Sequence, residues 1–155
     1  MVLQPYGIGV VCGIQTRSVS SASAAYYQVE FPGSHSKAYV PVDAPTATGM
    51  RPALCCRDLP ELRCRLDEKG LNLPRQWAAR HRRVSEILAS GNPFDIAALL
   101  GEFRAWHLER GLADLDHQAY RRALKLMLQE VRALEGEFVA EVREWLEGAW
   151  REACN

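Results

Sequence analysis

The spacing of apolar residues changes along the chain, from a period of two in the first 43 residues to a helical period after about residue 58. Alternation in the first part predicts strands whose inner faces carry Ile8, Val10, Cys12 and Ile14, then Tyr27, Val29 and Phe31, then Ala38, Val40 and Val42. Pro41 places the last strand at a sheet edge or bulge, since proline cannot donate to the ladder. Short strands in so few residues predict a small, strongly curved sheet or SH3-like barrel.

The second part of the chain predicts five helices joined by short connections. The predicted elements are a helix capped by Asp58 with Leu59, Leu62 and Leu66; one from Pro74 to Ser90; one capped by Asn92 and ending before Gly111; one capped by Asp114 and ending at Gly136; and one containing Phe138, Val142, Trp145, Ala149 and Trp150. Residues 44–52 contain two prolines and a glycine and predict a linker. The predicted fold class is α+β, with a β-barrel domain over residues 1–48 and a compact all-α domain over 53–155.

Charge is segregated along the chain, although 19 basic and 19 acidic residues give a formal net charge of zero. Residues 73–83 contain four arginines, Arg75, Arg80, Arg82 and Arg83, and no acid. Residues 130–155 contain seven glutamates against three arginines, a local balance of 3 − 7 = −4. Attraction to nucleic acid therefore has to come from the arginine cluster rather than from the whole molecule.

Several kinds of site find little support in the sequence. The five cysteines are odd in number and include no Cys-x-x-Cys pair, which argues against a disulfide framework and against zinc. Gly7, Gly9 and Gly13 do not open a helix, so a dinucleotide loop is not indicated. The four histidines are far apart and no nucleophile turn is present, so an enzyme is not expected. Without a signal segment or a long apolar run, the expected location is the cytoplasm.

Trp77 lies inside the arginine cluster, and two interpretations of it remain open. It shares a helical stripe with Val84 and Leu88, which favours burial in a core. Its position in the first turn, among arginines, permits exposure instead. The cluster itself is typical either of a solvated helix face or of a phosphate-binding surface, and the absence of acids favours the second interpretation.

Seven segments in register resemble the CarD family of bacterial RNA polymerase-binding transcription regulators. They are Tyr6-Gly7-Ile8-Gly9-Val10-Val11, Ile14-Gln15-Thr16-Arg17, Tyr26-Tyr27-Gln28-Val29, Tyr39-Val40-Pro41-Val42, Gln76-Trp77-Ala78-Ala79-Arg80-His81-Arg82, Ile87-Leu88-Ala89-Ser90-Gly91-Asn92 and Glu109-Arg110-Gly111-Leu112. The resemblance covers nearly the whole chain.

The resemblance implies a transcription factor with two binding surfaces. A Tudor-like N-terminal domain, shared with transcription-repair coupling factor, would bind the β-subunit lobe and protrusion of RNA polymerase through Arg17, Lys37, Tyr39 and Val40. The helical domain would bind promoter double-stranded DNA at the upstream edge of the bubble and stabilise the open complex, with Trp77 as a wedge in the minor groove. The implied DNA contacts are Trp77, Arg75, Arg80, Arg82, Arg83, His117 and Arg121. A monomer near the nucleoid is expected, without cofactor, metal or membrane partner.

Three departures from the family pattern keep an alternative open. Tyr39 fills a position where an arginine is expected and cannot replace that arginine's fork of donors. His117 stands where a lysine is common and is largely neutral near pH 7. The N-terminus begins several residues later than is usual, which we interpret as a shortened first strand or a misassigned start codon. The alternative is a polymerase-docking adaptor, for stress or repair regulation, that does not engage DNA productively.

Overall fold

The structure, a computed structural model, describes residues 2–3, 7–19, 22–32, 34–43, 50–68, 70–136 and 138–154. The chain divides into two compact units, Met1–Ala53 and Leu54–Asn155. The first contains antiparallel strands and the second contains helices, which confirms the predicted α+β fold class. Residues 44–49 of the predicted linker lie outside the described residues. Met50 and Arg51, also placed in that linker, instead form a strand.

The described residues of the β unit form two three-stranded antiparallel sheets. One has the order β2-β1-β6, with β1 at Val2–Leu3, β2 at Gly7–Ile8 and β6 at Met50–Arg51. The other has the order β3-β4-β5, with β3 at Val10–Val19, β4 at Ala22–Phe31 and β5 at Ser36–Pro41. β5 is thus an edge strand, as Pro41 predicts. The small core consists of Leu3, Val29, Phe31, Val40 and Met50.

A bulge corrects the predicted face of β3. The register with β4 shifts between Val11 and Gly13, so an extra residue reverses the alternation there. Val11, rather than Val10 or Cys12, packs against the core, while Val10 is exposed. Ile14 is exposed as well. The prediction of a single inner face from Ile8 to Ile14 is therefore wrong.

The helical unit contains α1 (Leu59–Asp67), α2 (Trp77–Ser90), α3 (Pro93–Arg110), α4 (Asp114–Arg132) and α5 (Val139–Cys154). The middle of α3, from Ile96 to Gly101, is buried on all sides, as expected for a central helix. α3 passes close to α1 at Gly101, where an added Cβ would collide with the carbonyl oxygen of Leu66. The unit begins at Leu54, whose N–H donates to the buried Glu130 carboxylate at 2.7 Å.

Helix boundaries agree with the sequence where a side chain or a glycine determines them. Asn92 caps α3 by accepting from the Phe94 N–H at 3.0 Å, and Gly91 ends α2 with φ of 67°. Asp58 stands at the N-cap of α1, as predicted, although its carboxylate accepts from the Cys55 N–H rather than from an amide of α1. Four predicted boundaries are wrong: α2 begins at Trp77 rather than Pro74, Ala113 rather than Asp114 caps α4, α4 ends at Arg132 rather than at Gly136, and Phe138 stands before α5 rather than in it.

No helix among the described residues is long and apolar enough to cross a membrane.

Candidate functional sites

Trp77 is the first residue of α2, and its side chain is 50% exposed. The apolar face of the helix consists instead of Val84 and Ile87, which are buried. The indole stacks on the His81 ring, with 5.5 Å between the ring centroids and 12° between the planes. Helical spacing therefore gives the wrong burial for Trp77, which stands at the very start of α2.

Around Trp77 the surface is basic, and no acid stands in the first turn of α2. Arg75, Arg82 and Arg83 are exposed. Arg83 approaches Glu86 at 3.8 Å, a solvated pair of little strength. For Arg75 and Arg82 no carboxylate oxygen belonging to the described residues lies within 4.0 Å. Arg75, Arg82 and Arg83 thus place exposed cations within six residues of the exposed indole.

Arg80, although it is one of the predicted DNA contacts, faces inward. Its side chain is 12% exposed and pairs with Asp116 of α4, which is 7% exposed. Nε and Nη2 each lie 3.0 Å from Oδ2 of Asp116, and Nη1 donates to the Arg75 carbonyl at 2.8 Å. The structure therefore separates Arg80 from the exposed arginines of the same sequence cluster.

The two predicted DNA contacts on α4 are turned toward α5. His117 Nε2 lies 3.0 Å from the carbonyl oxygen of Ala153, so this nitrogen carries the proton and donates. Its ring lies 5.6 Å from that of His107, which in turn contacts the Glu152 carbonyl. Arg121 is exposed and lies over the Trp150 ring at 5.5 Å. His117 thus contacts α5 and α3, and Arg121 contacts α5.

α5 is also held by an ion pair from α3. Arg104 donates to both Glu152 oxygens, at 2.9 and 2.8 Å, and stacks over Trp145 at 4.6 Å. This pairing keeps the pKa of the Glu152 carboxyl below its ordinary value, and it raises the pKa of Arg104. Nearby, burial raises the pKa of Tyr120, which packs edge-on against Phe103.

One basic residue in the cleft that Arg75 lines was missed in the sequence. Arg110, at the end of α3, is exposed and lies over the Trp106 ring at 4.2 Å. It lines a cleft together with Arg75, Arg80, Asp116 and the turn between α3 and α4. Arg110 and Arg75 are 35 positions apart, so only the fold brings them to one cleft. The Glu109-Arg110-Gly111-Leu112 segment is the only sequence signal for it.

The candidate docking face of the β unit is the outer face of the sheet β3-β4-β5. Arg17 lies over the Tyr39 ring at 3.9 Å, and Lys37 approaches Glu30 at 3.5 Å. Val40, predicted to contact polymerase, is 2% exposed and belongs to the core on the opposite face. Its side chain is therefore not part of this surface, because alternation along β5 places it opposite Lys37 and Tyr39.

No metal-binding group of three or more suitable side chains occurs within the described part of the chain.

Comparison with known proteins identifies both units. The family model described as the CarD-like/TRCF RID domain matches residues 1–54, and the model described as the CarD C-terminal domain matches residues 63–147. No curated protein matches the chain significantly. The first match makes the β unit a Tudor-like domain, and the second alone covers more than half of the chain. This protein therefore belongs to the CarD family and is an RNA polymerase-interacting transcription regulator.

Proposed function

We propose that the β unit docks on the β subunit of RNA polymerase while the helical unit stabilises the melted promoter at the upstream edge of the bubble. The observation that carries this proposal is the half-exposed Trp77 at the start of α2, in a segment where Arg75 and Arg82 are exposed and have no ion pair with any residue that the structure describes. An exposed aromatic ring with cations close to it in sequence can bind nucleic acid, which offers both base faces and phosphates.

The two kinds of side chain have different tasks in this proposal. Arg75, Arg82 and Arg83 attract phosphates in closed and open promoters alike, so they position the protein without favouring either state. A factor shifts an equilibrium only as far as it binds one state better. Trp77 provides that difference, since inserting a ring at an unstacked step gains stacking energy of about 1 to 3 kcal/mol per base.

For polymerase docking, the outer face of β3-β4-β5 offers a charged group with fixed direction. The Tyr39 ring stacks against one side of the Arg17 guanidinium. An aromatic ring thus stands where the family pattern has a second arginine. Among the described strands β5 is also at a sheet edge, and an edge strand suits pairing with a strand of the polymerase β subunit. A location beside the nucleoid follows from this role.

The experiment that tests the proposal compares Trp77→Ala with a matched control, Phe138→Ala. Phe138 is 48% exposed, close to the exposure of Trp77, but lies in the acidic part of the chain. We expect Trp77→Ala to retain polymerase binding and to shorten the lifetime of open complexes by about tenfold, since about 1.4 kcal/mol corresponds to a factor of ten. Phe138→Ala should behave as the wild type. A folded Trp77→Ala protein with wild-type lifetimes would refute the wedge.

The adaptor function stays a second candidate because of one specific observation. Two of the seven predicted DNA contacts, Arg80 and His117, are engaged inside the helical unit. Titrating salt against promoter binding in the presence of polymerase separates the two functions, since each neutralised phosphate contributes about 0.9 to the slope of log affinity against log salt. A slope unchanged by adding the protein would favour the adaptor.

A further inference from the structure

We propose that Arg80 is a positioning residue rather than a DNA contact: with Asp116 it clamps the backbone before α2 and thereby fixes where Trp77 stands. The inference rests on the proposed function for its consequence on DNA. Its structural part concerns the free protein and stands separately.

All three guanidinium nitrogens of Arg80 are occupied by protein acceptors. Nε and Nη2 bind Oδ2 of Asp116, and Nη1 faces the carbonyl oxygens of Arg75 and Pro74 at 2.8 and 3.4 Å. A phosphate oxygen would have to displace these acceptors at a site that is already largely dry. The positive charge of Arg80 is therefore compensated inside the molecule by the buried carboxylate of Asp116.

The position of these acceptors gives the clamp its function. Pro74 and Arg75 precede the Gln76 cap, whose side chain makes no capping hydrogen bond, so α2 starts without the usual stabilisation. Arg80 lies one turn into α2, and its backbone N–H makes a helix bond to Gln76 at 2.9 Å. Its side chain reaches back past this bond to the two preceding carbonyls.

Asp116 anchors the same group to α4. Because it stands in the first turn of that helix, its negative charge is also favoured by the helix amides. The segment before Trp77 is thus tied through one guanidinium to a second helix, and the start of α2 cannot move without breaking the ion pair. In this way the clamp determines the direction of the indole, while the exposed Arg75 side chain remains available to phosphate with or without it.

Arg82 provides the matched control, since it is two residues away, exposed and has the same charge. If Arg80 is a clamp, Arg80→Gln should leave the salt dependence of promoter binding unchanged, while Arg82→Gln lowers its slope by about 0.9. Both Arg80→Lys and Asp116→Asn should shorten open-complex lifetimes to the same extent as Trp77→Ala. The double variant with Arg80→Lys and Asp116→Asn should shorten the lifetime no further than either single variant, because both changes break the same interaction.

Asp116→Asn is expected to have opposite effects under the two possible roles of Arg80. If Arg80 contacts phosphate, removing the acid frees the guanidinium and strengthens DNA binding. If Arg80 is a clamp, the same change weakens the effect of the protein on open complexes. Lysine discriminates as well, because it retains a charge for phosphate but lacks the planar fork that reaches Asp116 and two carbonyls together.

Hydrogen exchange in the free protein tests the clamp without DNA. We expect Arg80→Lys and Asp116→Asn to speed exchange of the amides of residues 80–83, the first hydrogen-bonded turn of α2, while Arg82→Gln leaves it unchanged. Should either variant fail to fold, Arg80→Met with Asp116→Leu removes both charges together, which buried pairs often tolerate. The same acceleration is expected there.

The outcomes distinguish the two proposals. A wild-type protein that does not prolong open complexes overturns the proposed function, and the exchange result still judges the clamp. Wild-type activity with a lower salt slope in Arg80→Gln, or with stronger DNA binding in Asp116→Asn, overturns the clamp alone. Unchanged exchange at residues 80–83 in Arg80→Lys and Asp116→Asn, or in the double variant where one of these does not fold, overturns it as well.

Discussion

Ion pairs within the protein, and not residue type alone, determine which arginines near Trp77 are available to a phosphate. Four arginines occur within residues 73–83, but one is neutralised by an acid from another helix and one approaches an acid on its own helix. Arg110, from the end of α3, lies in the same cleft as Arg75. The arginines that can bind a phosphate are those whose charge is not already compensated by an acid of the protein.

Arg110 should therefore contribute to DNA binding although it lies outside the sequence cluster. We expect Arg110→Gln to lower the slope of log affinity against log salt by about 0.9, the effect of one lost phosphate contact. Binding in the presence of polymerase, measured over a range of salt, checks this. Arg151→Gln is the control, because Arg151 is exposed on α5 in a cleft that also contains glutamates. An unchanged slope in Arg110→Gln would limit Arg110 to packing on Trp106.

The sequence predicted these residues unequally, for a physical reason. Exposure of Arg82 follows from a local charge pattern, and the exposed Trp77 follows only from the family resemblance. The pairing of Arg80 with Asp116 joins residues 36 positions apart, so it depends on how α2 crosses α4. No local pattern contains that information.

At the scale of elements, the contact between α1 and α3 depends on one missing side chain. Since a Cβ on Gly101 would meet the Leu66 carbonyl, which belongs to the backbone, the helices would have to separate. We expect Gly101→Ala to lower the free energy of unfolding by about 1 to 3 kcal/mol, the usual cost of overpacking. Urea denaturation measures it.

Gly70→Ala is the matched control for this change. No atom lies within 4 Å of the Cβ that this substitution adds. It should leave stability unchanged or raise it by about 0.4 to 1 kcal/mol through the unfolded state. Equal stabilities of the two variants would contradict the close crossing.

The attachment of α5 to α3 should depend on pH through Glu152. Because Arg104 holds the folded pKa of this carboxyl below its ordinary value, the ion pair stabilises the fold above the unfolded pKa, and this contribution is lost as pH falls through the folded pKa. The urea midpoint of the wild type should therefore decrease below about pH 4.5. Glu152→Gln should be less stable at neutral pH and show a smaller decrease. Parallel pH curves for the two proteins would contradict this role.

The sequence predicts the presence and type of the helices and strands better than it predicts their boundaries and their buried faces. The helices and most strands follow from periodicity, because burial of one face requires it. The β3 bulge and the start of α2 do not follow, since each depends on contacts with other parts of its unit. The capping residue was correct at Asn92, where a side chain bonds the backbone directly, and wrong at Asp114, where the carboxylate stands one position later.

At the scale of the whole molecule, zero net charge makes attraction to DNA a local property. A small basic surface on a neutral protein binds DNA weakly by itself, because long-range attraction depends on the summed charge. Docking on polymerase would remedy this by holding the helical unit near the promoter. Binding of the helical unit to the promoter then becomes intramolecular, and its effective concentration depends on the segment that joins the two units.

Arg17→Glu tests this coupling in the full chain. We expect the variant to lose co-elution with the isolated β lobe, because the changed side chain reverses the charge beside Tyr39. The concentration needed for half-maximal stabilisation of open complexes should rise by about 10² to 10⁴, the usual gain from linking two binding steps. At saturation the stabilisation itself should persist, since Trp77 lies in the other unit. Trp77→Ala should give the opposite result, with normal co-elution and a lower plateau at every concentration. If Arg17→Glu lowered the plateau as well, the β unit would take part in stabilising the open complex, and its task would extend beyond docking.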